Sequence, residues 1–230
     1  MTEWLGPEEW QAVRLSLKVS ATAVAASLPL GLLCAFALAR GRFPGRHLLN
    51  GLVHLPLILP PVVTGYLLLL AFSRQGPVGA LLEPWGLSVA FRWTGAALAA
   101  AIMAFPLMVR PMRLAFEAVD PGLEQAAATL GASKLRVFAT VTLPLALPGV
   151  VAGAILAFAK AMGEFGATIT FVSNIPGETR TIPTAIYAFL QMPGGEPAAL
   201  RLVAVSVALA MAALLASEWL SRRIARRVAA

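Results

Sequence analysis

Long apolar runs without Asp, Glu, Lys or Arg dominate this chain of 230 residues. A helix that crosses a bilayer needs about 20 mostly apolar residues. With 59% hydrophobic and 13% charged residues, the chain is too apolar for the mixed surface of a soluble domain. The runs predict an all-α polytopic membrane protein of one domain, with no room for a separate globular enzyme. Its five spans are predicted at about 15–39, 48–73, 93–115, 144–172 and 200–220.

Basic residues are unevenly divided between the two sets of loops that these spans define. The loops on the same side as the C-terminus hold eleven Lys and Arg residues, and the loops on the opposite side hold six. Positive loops remain in the cytoplasm, so we expect a cytoplasmic C-terminus and an external N-terminus. The net charge of +7 then reflects membrane topology, and no nucleic-acid partner is expected.

Three prolines, Pro56, Pro60 and Pro61, interrupt the second predicted span. Each proline removes a backbone donor and strains the preceding turn, so this helix is predicted to be kinked or partly broken. In lipid such a defect must be covered by protein or by a watery cavity. The segment therefore either faces a pathway or partner helix, or has a static kink that shapes the bundle.

Two ionisable residues, Lys160 and Glu164, lie inside the fourth predicted span. Their four-residue spacing places them on one helical face, where they can neutralise each other. We expect a pair, which is either purely structural or a contact for a substrate. The following apolar segment, Ile182 to Met192, is too short to span and is expected to lie along the outer surface.

The predicted cytoplasmic loop at about 116–143 has the pattern of two helices separated by a bend. Asp120 is a helix N-cap with proline next to it, good helix formers follow, and Gly131 ends the helix. Ser133 offers a second cap before the segment that leads into the membrane. A protruding helical hairpin of this kind suits docking into the groove of a partner.

The same loop carries a spaced motif: an acidic or amide residue and two alanines, three residues, glycine, nine residues, an aliphatic residue, one residue, then Leu-Pro. In this spacing it resembles the permease subunits of ATP-binding-cassette importers. Gln125 stands where that family usually has glutamate, with Glu124 one position earlier, and Val141 replaces isoleucine. The resemblance implies a coupling loop that contacts an ATPase through Glu124, Gln125, Ala126, Ala127, Gly131, Leu143 and Pro144.

Nearly the whole chain is similar to the molybdate permease branch of that family, through the segments 10–20, 54–66, 105–110 and, most specifically, 163–183. The resemblance implies a homodimer in the bacterial inner membrane, in contact with lipid. It also implies two cytoplasmic ATP-binding subunits and an external binding protein that delivers molybdate. Tungstate, sulfate and thiosulfate remain alternative cargoes, and a non-transporting membrane scaffold is the alternative from another class.

The chain lacks the pattern G-x-x-x-x-G-K-[ST], so we expect no enzyme activity, no cofactor, and ATP with Mg²⁺ used by a partner. No metal site is expected, because His54 has only His47 as a second histidine. Candidate pathway residues are Pro60, Pro61, Thr64, Lys160, Glu164, Thr168 and Thr170, with Ser173 and Asn174 as further donors. Each hydroxyl could equally bond to its own helix backbone.

Overall fold

The computed structural model describes residues 4–228, and this part of the chain is helical with no strand. In chain order the helices are α1 (Pro7–Arg40), α2 (Arg46–Ile58), α3 (Pro61–Phe72), α4 (Pro77–Leu82), α5 (Trp93–Ala118), α6 (Pro121–Thr129), α7 (Lys134–Val137), α8 (Leu143–Met162), α9 (Gly166–Val172), α10 (Ile182–Leu190) and α11 (Glu196–Val228). A 3₁₀ turn, Glu83–Trp85, follows α4, and a π-helical turn, Phe138–Thr142, joins α7 to α8.

Four stretches of helix are long and apolar enough to cross a membrane. These are α1, α5, the continuous stretch Lys134–Met162 and the part of α11 up to Leu220. Helices α2 and α3 pass the same test as a bent pair, which makes five crossings if that pair is one span. The predicted all-α polytopic fold with about five spans is therefore confirmed. Helix α1 has 34 residues and is about 51 Å long, so it exceeds the hydrocarbon core, which is about 30 Å thick.

The second predicted span, 48–73, is broken into α2 and α3, whose axes are bent by 111°. Leu59 and Pro60 have extended backbone between the two helices. Pro61 takes the first helical position of α3, where its missing N–H costs nothing. The predicted break is confirmed, and it separates two distinct helices.

The fourth predicted span, 144–172, is not one helix, and this part of the prediction was wrong. Helix α8 ends at Met162 and α9 begins at Gly166. The Oε1 atom of Glu164 accepts a hydrogen bond from the N–H of Ala167 at 3.0 Å, so this carboxylate satisfies a free donor in the first turn of α9. Glu164 thus lies in the break between two helices and does not share a helical face with Lys160.

Helix α5 is the centre of the fold and packs against α1 and α8. The first half of its buried face consists of small residues, namely Gly95, Ala96, Ala97, Ala99 and Ala100. Small residues allow helix backbones to approach closely in a membrane. On the opposing helix, a Cβ atom added to Gly153 would lie 2.5 Å from the carbonyl oxygen of Met108. The contact between α5 and α8 therefore requires glycine at this position.

A second buried cluster forms where α1, α10 and α11 meet. The N–H of Ile182 donates to Ser16 Oγ at 2.7 Å, and Arg201 donates to both carboxylate oxygens of Glu9, at 2.8 and 3.2 Å. The segment expected to lie along the outer surface is thus packed against the ends of two long helices. Its apolar residues cover the ends of α1 and α11, while Tyr187 and Leu190 remain exposed.

Replacing Gly153 by alanine should destabilise the bundle, because the new methyl group forces α5 and α8 apart. Overpacking of this kind typically costs about 1–3 kcal/mol, and we expect a lower midpoint of thermal unfolding in detergent. Gly51→Ala is the matched control, since a Cβ atom there meets nothing within 4 Å and alanine is the better helix former. Equal midpoints for the two variants would contradict the prediction.

Candidate coupling loop and transmembrane site

The coupling loop has the helix, bend and helix that its sequence predicts. The Oδ1 atom of Asp120 accepts the N–H of Gly122 at 2.8 Å, so α6 begins as expected. Gly131 has φ of +86°, a left-handed conformation that glycine adopts without strain. Ser133 Oγ accepts the N–H of Arg136 at 3.4 Å and caps α7. The predicted capping residues and the glycine bend are confirmed.

Glu124 contacts the spanning helices, although 24% of its side-chain surface remains exposed. Its Oε1 atom accepts a hydrogen bond from Thr142 Oγ1 at 2.7 Å and lies 3.4 Å from Arg40 Nη2. The same nitrogen of Arg40 donates to the carbonyl oxygen of Val119 at 2.7 Å. These three residues, Arg40, Glu124 and Thr142, are called the Glu124 cluster. Sequence reasoning missed Arg40 and Thr142, because no local pattern reports a contact across 84 positions.

Three phenylalanine rings attach the coupling loop to the long helices. Phe138, in the π-helical turn, has its ring centroid 5.0 Å from that of Phe36 on α1. Phe36 in turn packs edge-on against the fully buried Phe116 of α5, with centroids 5.5 Å apart. Aromatic pairs with this geometry contribute beyond the area that they bury. The loop is therefore held by the Glu124 cluster and by this aromatic contact to α1, α5 and α8.

The motif residues divide into an exposed group and a packed group. Gln125, Ala126 and Gly131 are exposed, whereas Ala127 is half-buried and Glu124 points inward. Leu143 and Pro144 lie in the first turn of α8, where both are half-buried. Of the motif residues, the first group is the one available to a partner that approaches the loop from solvent.

Exposed leucines surround the exposed motif residues. Leu130, next to the glycine bend, is 88% exposed, and Leu123 and Leu135 are also exposed. An apolar groove of about 690 Å³ lies between this loop and α1, with Gln125 and Leu135 among its lining residues. Apolar side chains clustered at a polar surface mark interaction sites, so this face can bind a partner protein.

The two helix breaks within the membrane region meet each other. A Cβ atom added to Gly166, at the start of α9, would lie 2.7 Å from Pro61 Cβ at the start of α3. A Cβ atom added to Gly65 would lie 2.5 Å from the carbonyl oxygen of Ala167. The two short helices therefore pack backbone to backbone. The structure brings Pro61 of the second predicted span next to the break in the fourth.

Lys160 and Glu164 form the predicted ion pair at this junction. The Nζ atom of Lys160 lies 2.8 Å from Glu164 Oε2, and the other carboxylate oxygen of Glu164 is bonded to the N–H of Ala167. The Glu164 side chain is 2% exposed, whereas that of Lys160 is 30% exposed. The carboxylate is thus enclosed by protein, while the ammonium has an open side.

The candidate hydroxyl groups differ in their environments. Thr64 Oγ1 is buried and has no hydrogen-bond partner among the described residues. Thr168 is buried as well, whereas Thr170 Oγ1 donates to the carbonyl oxygen of Gly166 in its own helix at 2.9 Å. The Asn174 amide donates to the carbonyl oxygen of Thr184 in α10 and accepts from Arg180 in the following loop, so it fixes that loop to α10. Thr64 thus has a buried hydroxyl group whose donor is unused.

Comparison with known proteins assigns the chain to a family. The family described as "Binding-protein-dependent transport system inner membrane component" matches residues 27–229. The chain belongs to this family. Its membership accounts for both the apolar spans and the coupling loop, and it makes the chain an integral component of an inner membrane.

Two relatives and one solved structure illustrate the similarity. The chain is 63% identical over 215 residues to the "Molybdenum transport system permease protein ModB" of Escherichia coli K12, covering 93% of this chain and 94% of that protein. It is 36% identical to the "Sulfate transport system permease protein CysT" of Salmonella typhimurium, covering 96% and 80%. A solved bacterial ABC transporter involved in import of the acidic polysaccharide alginate has 20% identity and a TM-score of 0.74, covering 95% of this chain and 80% of that chain. This last likeness supports the fold.

Replacing Gly131 by valine should impair transport while the protein remains inserted in the membrane. The left-handed conformation costs about 1–2 kcal/mol for a residue with a Cβ atom, and valine tolerates it poorly. The bend between α6 and α7 should therefore shift, which uptake assays on membrane vesicles will detect. Gly131→Asn is the control, because asparagine enters this region more readily. Wild-type uptake by the valine variant would refute the prediction.

Proposed function

We propose that this chain is the membrane-spanning permease subunit of an ATP-driven importer of molybdate. The observation that carries the proposal is the 63% identity, over almost the full length of both chains, to a protein named for molybdenum transport. The coupling loop supports it, because a rigid helical hairpin with an exposed face suits an ATPase partner.

The proposed assembly contains two copies of this chain, two cytoplasmic ATP-binding subunits and an external binding protein. The chain lacks a phosphate-binding loop motif, so ATP and Mg²⁺ are used by the partner and this subunit needs no cofactor. Large exposed apolar side chains on α2 and α3, among them Ile58 and Tyr66, provide surface for the second copy or for lipid. The two copies would surround a shared central path.

The path is proposed to follow the junction of the two helix breaks. Irregular backbone at membrane depth occurs where protein covers it or where it lines a watery cavity. The residues proposed for this path are Pro60, Pro61, Thr64, Lys160, Glu164, Thr168 and Thr170. Their support is the contact between α3 and α9 and the open side of the Lys160 ammonium.

The cargo is the finer part of the proposal. Molybdate, tungstate and sulfate are all tetrahedral dianions, so a path that accepts one of them fits the others. The similarity to a sulfate permease is weaker, at 36% identity, which favours molybdate. A non-transporting scaffold would have no need of a coupling loop with this spacing.

Reconstitution of the whole complex in vesicles tests the cargo directly. We expect molybdate delivered by the cognate binding protein to stimulate ATP hydrolysis and to accumulate inside the vesicles. Tungstate, sulfate and thiosulfate, each presented in the same way, are the comparisons. Stimulation by sulfate and not by molybdate would replace the proposed cargo, and failure of the chain to co-purify with an ATPase would favour the scaffold.

We propose further that the coupling loop acts as a lever. The stretch Lys134–Met162 is continuous helix from the loop into the membrane, and the Glu124 cluster ties α6 to its start. A displacement of the bound ATPase would then move α8, and with it the junction at Lys160, without a flexible linker between them.

Thr142→Val should weaken this lever, because it removes the hydroxyl donor to Glu124 without changing the size of the side chain. A hydrogen bond to a charged group contributes about 1.5–3 kcal/mol, and we expect less cargo imported per ATP hydrolysed in vesicles. Thr140→Val is the matched control, since that exposed hydroxyl bonds only to the carbonyl oxygen of Arg136. Equal coupling ratios in the two variants would argue against the lever.

The proposed orientation places the N-terminus outside and the C-terminus in the cytoplasm. Its support is the excess of basic residues in one set of loops. A reporter that is active only in the cytoplasm should be active when it is fused after Arg227. A reporter that is active only outside the cytoplasm should be active when it is fused before Trp10. The reverse result would invert the map, with the coupling loop on the outer side.

A further inference from the structure

The Lys160 ammonium has hydrogen-bond donors that the protein does not use. An ammonium has three donors, and in residues 4–228 that of Lys160 donates to Glu164 alone. Its side chain keeps 30% of its surface exposed, in contrast to the enclosed carboxylate beside it. Charged groups exposed at membrane depth face a cavity or a pathway, because exposure to lipid is expensive. The open donors are therefore available to a ligand with oxygen acceptors.

The surroundings of the ammonium favour an anion. Lys160 and Glu164 are the charged residues of the stretch 144–172. They lie where the break between α8 and α9 meets the start of α3. An ammonium with free donors at such a break is suited to a tetrahedral oxyanion, whose oxygens accept hydrogen bonds.

We propose that Lys160 is the cation that contacts the dianion in transit, and that Glu164 limits how tightly this cation holds it. This inference rests on the proposed function. Glu164 is fixed by the N–H of Ala167 at 3.0 Å, so the carboxylate stays in place when a dianion approaches the ammonium. The pair is thus a charge-balanced contact point in the pathway.

Coulomb's law indicates how much Glu164 weakens the attraction between the Lys160 ammonium and the dianion. An oxyanion on the open side of the ammonium lies about twice as far from the carboxylate as from the cation, so the carboxylate cancels roughly half of the attraction. A path must bind its cargo well enough to admit it and weakly enough to release it. Glu164 therefore allows rapid release, and selectivity is left to the external binding protein.

Glu164→Gln tests the inference, because it removes the negative charge and keeps an oxygen that can accept the N–H of Ala167. We expect the complex in lipid nanodiscs, without binding protein, to bind radiolabelled molybdate about tenfold or more tightly than the wild type. Uptake in vesicles should fall, since the dianion is retained. Unchanged affinity in an assembled Glu164→Gln complex would overturn the inference.

The double variant Lys160→Met/Glu164→Gln is the matched control, since both charges are removed together. It should lose the tight binding of the single variant while its ATPase subunits remain attached. Tight binding that persists in the double variant would show that the dianion binds elsewhere, and the inference would fail.

A charge introduced after folding makes the test independent of whether Glu164→Gln assembles. Cys34 is the only cysteine of the chain, so Cys34→Ser/Lys160→Cys/Glu164→Gln carries one reactive thiol and no charge at the junction. Reaction with a methanethiosulfonate reagent bearing an ethylammonium group restores a cation without its carboxylate. Tight molybdate binding should appear after this reaction and not after reaction with the uncharged methyl reagent. Equal binding after both reagents would overturn the inference.

Failure of the inference and failure of the proposed function are distinguishable. A wild-type complex that imports sulfate and not molybdate refutes the proposed cargo, and the same variants are then tested with sulfate, which is also a tetrahedral dianion. A wild-type complex that imports molybdate, combined with unchanged affinity in the variants, refutes the role of Lys160 alone.

Discussion

The need to satisfy every backbone polar group inside a bilayer governs this structure. The chain interrupts two of its spans, after Ile58 and after Met162, and each interruption frees N–H and C=O groups. These breaks are placed against each other, with Gly65 and Gly166 allowing α3 and α9 to touch along their backbones. The Lys160–Glu164 ion pair lies at the second of these breaks. Irregular backbone and buried charge therefore occur together at this junction.

The long helices position this junction. Helix α5 lies between α1 and α8, and its small side chains permit the close packing of all three. In the membrane such packing depends on van der Waals contact, because lipid tails are as apolar as the helix surfaces. The coupling loop is held instead by polar contacts, because it lies outside the predicted spans. Glu124 accepts a hydrogen bond from Thr142 and forms an ion pair with Arg40. Together these contacts join the exposed loop to the buried junction through one continuous stretch of helix.

The expectation of one uninterrupted fourth span failed because tertiary contacts decided where the helix ends. The apolar run 144–172 has no proline near its break, and glycine alone does not end a helix, so the length of the run favoured one span. The structure ends α8 because the Glu164 carboxylate serves both Lys160 and the first turn of α9, a choice made by tertiary contacts. The shortness of the segment from Ile182 likewise excludes a span but does not reveal that α1 and α11 enclose one of its faces.

Local patterns in the sequence determined the number and class of the spans, the proline break, the caps at Asp120 and Ser133 and the left-handed bend at Gly131. Each of these depends on interactions within about four residues, or on the length needed to cross a bilayer. Only the tertiary structure decided that Pro61 meets Gly166, that Glu124 turns inward towards Arg40 and Thr142, and that Lys160 is left with an open side. Those contacts join residues between 18 and 105 positions apart. Their geometry is set by how the helices pack, and no local sequence pattern encodes it.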